Sequence, residues 1–174
     1  MQPDLQTLAD REAIRDCLYR YCRGIDRLDE DALRSAYWPD ATDCHGAYQG
    51  SAAGFIDDAL VKLQAAGRMV HQLGNILIEL KGDEAAVESY FIAFQEGRDA
   101  TGQAVETLLC GRYADRFERR GWEWRIAARI VVYDWQRQMP LPDGLAAASF
   151  GLRQPTGGRK PDDPIYRVIA SLRG

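Results

Sequence analysis

Met69-Val-His-Gln-Leu-Gly-Asn75 marks the point where the spacing of apolar residues changes. Before it, apolar residues recur every three or four positions; after it, every second position. The first spacing lines one stripe of a helix and the second lines one face of a strand. The stretch therefore opens the first of four predicted strands, Val70 to Leu80. Ala85 to Glu96, Thr107 to Arg119 and Trp122 to Gln136 follow, separated by Lys81-Gly-Asp83, a polar loop containing Gly102, and Arg120-Gly121. Alternation puts His71, Leu73, Asn75 and Leu77 on one face of the first strand. It groups Arg129 with Val131, Tyr133 and Trp135 on the fourth, and Arg112 with Leu108 and Cys110 on the third.

Upstream, the spacing predicts three helices. The first runs from Leu5 to Gly24 with Ile14, Cys17, Leu18, Tyr21 and Cys22 inward. A short second helix starts at Asp29, turns Leu33, Ala36 and Tyr37 inward, and is stopped by Pro39. The third covers Ala52 to Ala66 and ends at Gly67. An extended piece, Thr42 to Gln49, carries His45 and Tyr48. Three helices followed by an antiparallel meander is an α+β layout. A curved sheet wrapped on helices leaves a cavity suited to apolar ligands.

His71 is one of only two histidines. Asp26, just past the predicted end of the first helix or in its last turn, lies near that helix's dry face. An aspartate that orients a histidine inside an apolar cavity makes a general base. Separately, each residue has a plain structural reading: Asp26 pairs with Arg23 or Arg27, and His71 is a satisfied core histidine. Arg112 and Arg129 read first as ion-pair partners of Asp115 or Asp134, and secondarily as ligands for a substrate carboxylate.

The 174 residues suit one compact domain. A net charge of −4 with no basic stripe argues against nucleic acid as a partner. The N-terminus lacks the features of a signal peptide and no apolar run approaches membrane-spanning length, so a cytoplasmic protein is expected. Four cysteines without metal spacing read as reduced core residues. Five of the seven prolines fall between Pro140 and Pro164, so residues 139–174 form an extension to the 1–138 domain. It ends in an amphipathic helix, Pro164 to Leu172, too short to be stable alone and expected to dock as a lid or subunit clasp.

Several blocks carry a resemblance: Asp10-Arg-Glu-Ala-Ile-Arg-Asp16, Tyr21-Cys-Arg-Gly-Ile-Asp26, Trp38-Pro-Asp-Ala41, His71-Gln-Leu-Gly-Asn75, Gly111-Arg-Tyr113 and Trp124-Arg-Ile126. Together they resemble the NTF2-like superfamily in its SnoaL-like branch. The resemblance implies a cone-shaped barrel with three N-terminal helices packed on a curved, mainly antiparallel sheet. Within it the chain is similar to scytalone dehydratase, bile-acid 7α-dehydratases and hexachlorocyclohexane dehydrochlorinase. Those enzymes pair an aspartate ending the first helix with a histidine opening the first long strand, and Asp26 and His71 match both positions. Tyr21 matches the bile-acid type five residues before the aspartate. The dehydratases' carbonyl-binding tyrosine, nineteen residues after it, is replaced here by His45. Scytalone dehydratase's second pocket histidine has no counterpart, which argues against scytalone as substrate.

The resemblance implies a lyase or isomerase that uses neither metal nor organic cofactor and acts on a small, apolar, ring-containing ligand. Asp26 and His71 would be catalytic, with Tyr21 and His45 binding substrate, and the strand pattern adds Arg129 as a substrate-binding candidate. The resemblance also implies a homo-oligomer, trimer or dimer. The same fold serves as the non-catalytic small subunit of ring-hydroxylating dioxygenases and as ligand carriers, so a scaffold or carrier is the alternative.

Overall fold

The computed structural model describes residues 4–141, 151 and 153–173. Helix α1 (Leu5–Arg27) begins at Asp4, whose carboxylate accepts the Thr7 N–H at 2.7 Å. Gly24 does not end it. The helix continues to Arg27 and stops where Leu28 turns left-handed at φ 50°, with the Asp29 N–H closing on the Gly24 carbonyl. Gly24 is a packing residue: a Cβ there would lie 2.6 Å from the Leu33 Cβ of α2 (Glu30–Ser35). Asp26 thereby sits inside a regular last turn.

Ala36 and Tyr37, expected in the second helix, leave it. Strand β1 (Tyr37–His45) starts at once and runs parallel to β6 (Glu123–Pro140). Their ladder pairs Tyr37 with Ile126 and resumes at Thr42 with Ala128. Pro39, which has no N–H to donate, falls in the gap. A two-residue turn, with Gly46 at φ 62°, leads to β2 (Tyr48–Ser51), and Ser51 caps α3 (Ala52–Gln64). Strands β3 (Met69–Lys81), β4 (Glu84–Arg98) and β5 (Ala104–Arg120) complete the sheet. Its order is β2-β1-β6-β5-β4-β3, six strands rather than the four predicted, antiparallel except for β1 and β6. The sheet is curved and does not close, so β3 is an edge.

Three bulges curve it and correct the simple alternation. In β3, Leu73 pairs with Phe91 and Ile76 with Ser89, so Gly74 and Asn75 share the place opposite Tyr90. The inward set accordingly passes from Met69, His71 and Leu73 to Ile76, Ile78 and Leu80, and Asn75 and Leu77 turn to solvent. In β6, Asp134 is the extra residue between the pairs of Cys110 and Gly111, which throws Trp135 to the outer face while Tyr133 stays on the inner one. A third irregularity, at Ala127, lets neighbouring Ile126 and Ala127 both be buried.

The core lies between α1 and the inner face of the sheet, around Ile14, Leu18, Phe117 and Ile126, each fully buried. Each such side chain contributes about 1.5–3 kcal/mol. Cys17, Cys22, Cys44 and Cys110 are free. No helix among the described residues is long and apolar enough to cross a membrane.

The C-terminal helix α4 (Pro164–Ser171) docks on its own chain. Asp163 pairs with Arg27 at 3.2 Å, Lys160 reaches Asp29 at 2.8 Å, and the Tyr166 hydroxyl donates to Asp29 at 3.0 Å. Arg159 donates to the Leu63, Gln64 and Ala66 carbonyls, satisfying the C-terminal end of α3. Residues 142–150, 152 and 174 of the extension lie outside the described residues.

Candidate active site

Asp26 on α1 and His71 on β3 meet. Asp26 Oδ1 lies 2.6 Å from His71 Nδ1, and Oδ2 accepts the His71 backbone N–H at 3.0 Å. The second contact is possible because β3 is an edge strand: its alternate N–H groups face away from β4 and are free to donate to a side chain. The two-point hold fixes both the strand against the helix and the plane of the ring. In the neutral ring, a carboxylate facing Nδ1 places the proton on that nitrogen and leaves the lone pair on Nε2. Both side chains are nearly buried, 12% and 11% exposed, so the pair is shielded from water.

His71 lines a cavity of about 320 Å³, with Asp26 standing behind the ring rather than in the wall. The other walls are mainly apolar and aromatic, with Tyr21, Phe55, Phe91, Leu109, Tyr113 and Tyr133 prominent. That volume suits a small ring compound. Phe91 stacks on Tyr113 at 4.6 Å and lies 6.3 Å from the His71 ring. Tyr21 lies edge-on to Tyr37 and Tyr113, and burial pushes its phenol well above its ordinary pKa, so it stays a neutral donor.

His45 also lines this cavity. It is the last residue of β1, near the other end of the strand order from His71. Its ring stacks on Phe55 at 4.4 Å, inclined by 18°.

Arg129 is placed elsewhere. It was expected at the cavity as a substrate ligand, but it is 1% exposed and absent from the cavity wall. Its guanidinium makes two bonds to Asp115, at 2.8 and 2.7 Å, and lies between the Tyr21 and Tyr113 rings at 4.1 and 4.0 Å. The bidentate ion pair accounts for its burial. Arg112 pairs with Asp134 and Glu88 on the outer face.

Four of the five expected site residues thus adjoin one cavity: Tyr21, His45 and His71 in its wall and Asp26 behind it. Asp43 escaped the sequence reading, although it stands two residues before His45 on the same strand and so shares its face. Phe91, Tyr113 and Tyr133 were discoverable as inward positions of β4, β5 and β6, but alternation does not say which inward residues border a void. Among the described residues, no group of three His, Cys, Asp or Glu side chains converges as a metal cage would require.

The comparisons agree with this architecture. The SnoaL-like domain model matches residues 6–130. No curated protein sequence matches the chain. A type 2 hexachlorocyclohexane dehydrochlorinase (LinA) is similar at 23% identity and a TM-score of 0.70, over 82% of this chain and 99% of that one. A scytalone dehydratase-like protein of Novosphingobium aromaticivorans is similar at 17% identity and 0.66, over 78% and 91%. A protein of that species described as the beta subunit of an aromatic-ring-hydroxylating dioxygenase gives 22% and 0.57, over 77% and 94%. With a family model spanning most of its length, and the curved sheet and helices of those neighbours, the chain belongs to the SnoaL-like family of the NTF2-like fold.

Proposed function

We propose that the protein is a cofactor-free lyase of the dehydratase type, or an isomerase, acting on a small, largely apolar cyclic substrate. The observation that carries this reading is the double hold of Asp26 on His71 at the wall of an aromatic cavity. His71 Nε2 takes a proton from a ring carbon beside a carbonyl. The C–H electrons move into the ring and develop charge on the carbonyl oxygen. Asp26 balances the imidazolium that forms. Collapse of the enolate then either expels a hydroxyl from the next carbon, which leaves as water with a proton, or accepts the proton back at another carbon. Tyr21, held neutral by burial, donates to the oxygen that gains charge. A scaffold subunit has no use for an aspartate-held imidazole on an open cavity, which favours catalysis over that alternative.

The test uses 3-hydroxycyclohexanone in D2O. Exchange of its C2 protons is followed by NMR, and dehydration by the absorbance of the conjugated enone. The protein is expected to accelerate exchange. His71→Ala and Asp26→Asn are expected to lose about 10²–10⁴-fold in rate while keeping the wild-type circular dichroism. Exchange no faster than in buffer, or undiminished in both variants, would sink the reading.

A further inference from the structure

Asp43 is 1% exposed, and its two oxygens have different surroundings. Oδ2 accepts the Tyr37 hydroxyl at 2.6 Å. Oδ1 is buried without a hydrogen-bond partner, and so is Nδ1 of His45. These two orphans face each other at 3.5 Å. A buried polar atom left unpaired costs about 1–3 kcal/mol, and a closure of roughly half an ångström would satisfy both at once. Spacing explains the meeting: residues two apart on a strand share a face. The stack on Phe55 and the edge contact with Tyr133 at 6.2 Å hold the imidazole plane, and Nε2 is the nitrogen left for the cavity.

We infer that Asp43 and His45 form a second oriented dyad on the far wall of the cavity, and that His45 is the proton donor to the departing hydroxyl. Asp43 is the positioning residue. It holds Nδ1–H and balances the ring when both nitrogens carry protons. The inference rests on the proposed lyase reading and divides its labour. His71 takes the carbon proton, the C–O bond breaks with its electron pair going to oxygen, and His45 Nε2–H supplies the proton that makes water. His71, now protonated, and His45, now bare, exchange one proton through solvent to reset. The site thereby selects ring ketones with a hydroxyl on the carbon next to the acidic one. Arg129, across from Asp43 in the β1–β6 ladder, gives Nε and Nη2 to Asp115; its Nη1 is buried without a partner, and the carboxylate it pairs with is Asp115, not Asp43.

Two readouts test this in the intact protein. The first needs no substrate. In protein labelled with ¹⁵N-histidine, the only two histidines should each give a hydrogen-bonded Nδ1–H resonance. Asp43→Asn should remove or shift that of His45 and leave that of His71 in place; Asp26→Asn should do the reverse. The second uses 3-hydroxycyclohexanone. Asp43→Asn and His45→Gln should lose dehydration at least ~10-fold more than C2 exchange, whereas His71→Ala should lose both together. A His45 resonance indifferent to Asp43→Asn would overturn the dyad. Dehydration and exchange falling in parallel in His45→Gln would overturn the donor role while leaving His71 as the base. Exchange that does not depend on His71 would overturn both. His45→Gln does not disturb Asp43 and its Tyr37 bond, so the kinetic arm stands even if Asp43→Asn fails to fold.

Discussion

Two carboxylates do different work in this chain. Asp26 holds an imidazole, a ring able to gain and lose a proton, at the edge of a cavity. Asp115 holds Arg129, which has no such freedom at any ordinary pH. The latter pair is fully buried between the Tyr21 and Tyr113 rings and so supports two walls of the cavity from behind. Removing one partner leaves an uncompensated buried charge. Arg129→Met is therefore expected to lower unfolding free energy by about 3–5 kcal/mol in a urea titration. The double variant Arg129→Met/Asp115→Leu should recover most of that loss. A single variant as stable as the parent would show that the pair contributes nothing.

At the scale of elements, the site depends on how two of them end. α1 must run through Gly24 to carry Asp26 to the edge of β3, and β1 must stop at His45 to set its ring beside Phe55. The C-terminal segment braces the first of these ends, because Asp163 pairs with Arg27, the last residue of α1. The backbone N–H of Gly158 on the Asp163 carboxylate, with that of Ile165 and the Arg27 charge, holds this carboxyl below its usual pKa. A depressed folded-state pKa means that the contribution is complete above the ordinary carboxylate value and fades as pH falls through the folded one. Amide protection in α4 should therefore decline as pH drops below about 4, before protection in the central strands does. Protection in α4 that stays undiminished well below pH 4, or that falls only together with the central strands, would remove Asp163 as the anchor. Truncation at Pro140 probes the wider role of the extension: unchanged assembly and unchanged ligand binding would refute both lid and clasp.

On the whole molecule, the outer face of the sheet carries an apolar patch. Ile92, Cys110 and Trp135 form one row across three strands, and Val70, Phe94 and Leu108 the next. Trp135 is 66% exposed and Phe94 47%. Contiguous apolar surface of this kind marks an interaction face. We propose that it is covered by further copies of the chain, in a dimer or trimer. Sedimentation velocity should show the oligomer, and Phe94→Glu should shift it toward monomer. A monomeric parent protein would end the proposal, and a second protein that co-purifies would favour the scaffold alternative.

Much of this was legible in the sequence because it is local. The change of period at Met69 gave the order of helices and strands, and the expectation that Asp26 meets His71 came from the family resemblance of the blocks that carry them. The short strand pair at Tyr37–Ser51 was only partly legible, since Pro39 masked the start of β1 and its partner β6 lies some eighty residues away. The bulges at Asn75 and Asp134 were not legible at all. A bulge is decided by the register of the neighbouring strand, so the outward turn of Leu77 and Trp135 exists only once the sheet is assembled. The placement of Arg129 has the same origin. Sequence establishes that a charge on a buried strand needs a partner, but whether that partner is Asp115 or a substrate depends on which side chains the curved sheet brings within a few ångströms. Chain-local physics thus determined the elements and the chemistry available, and tertiary packing decided which of those groups share the cavity.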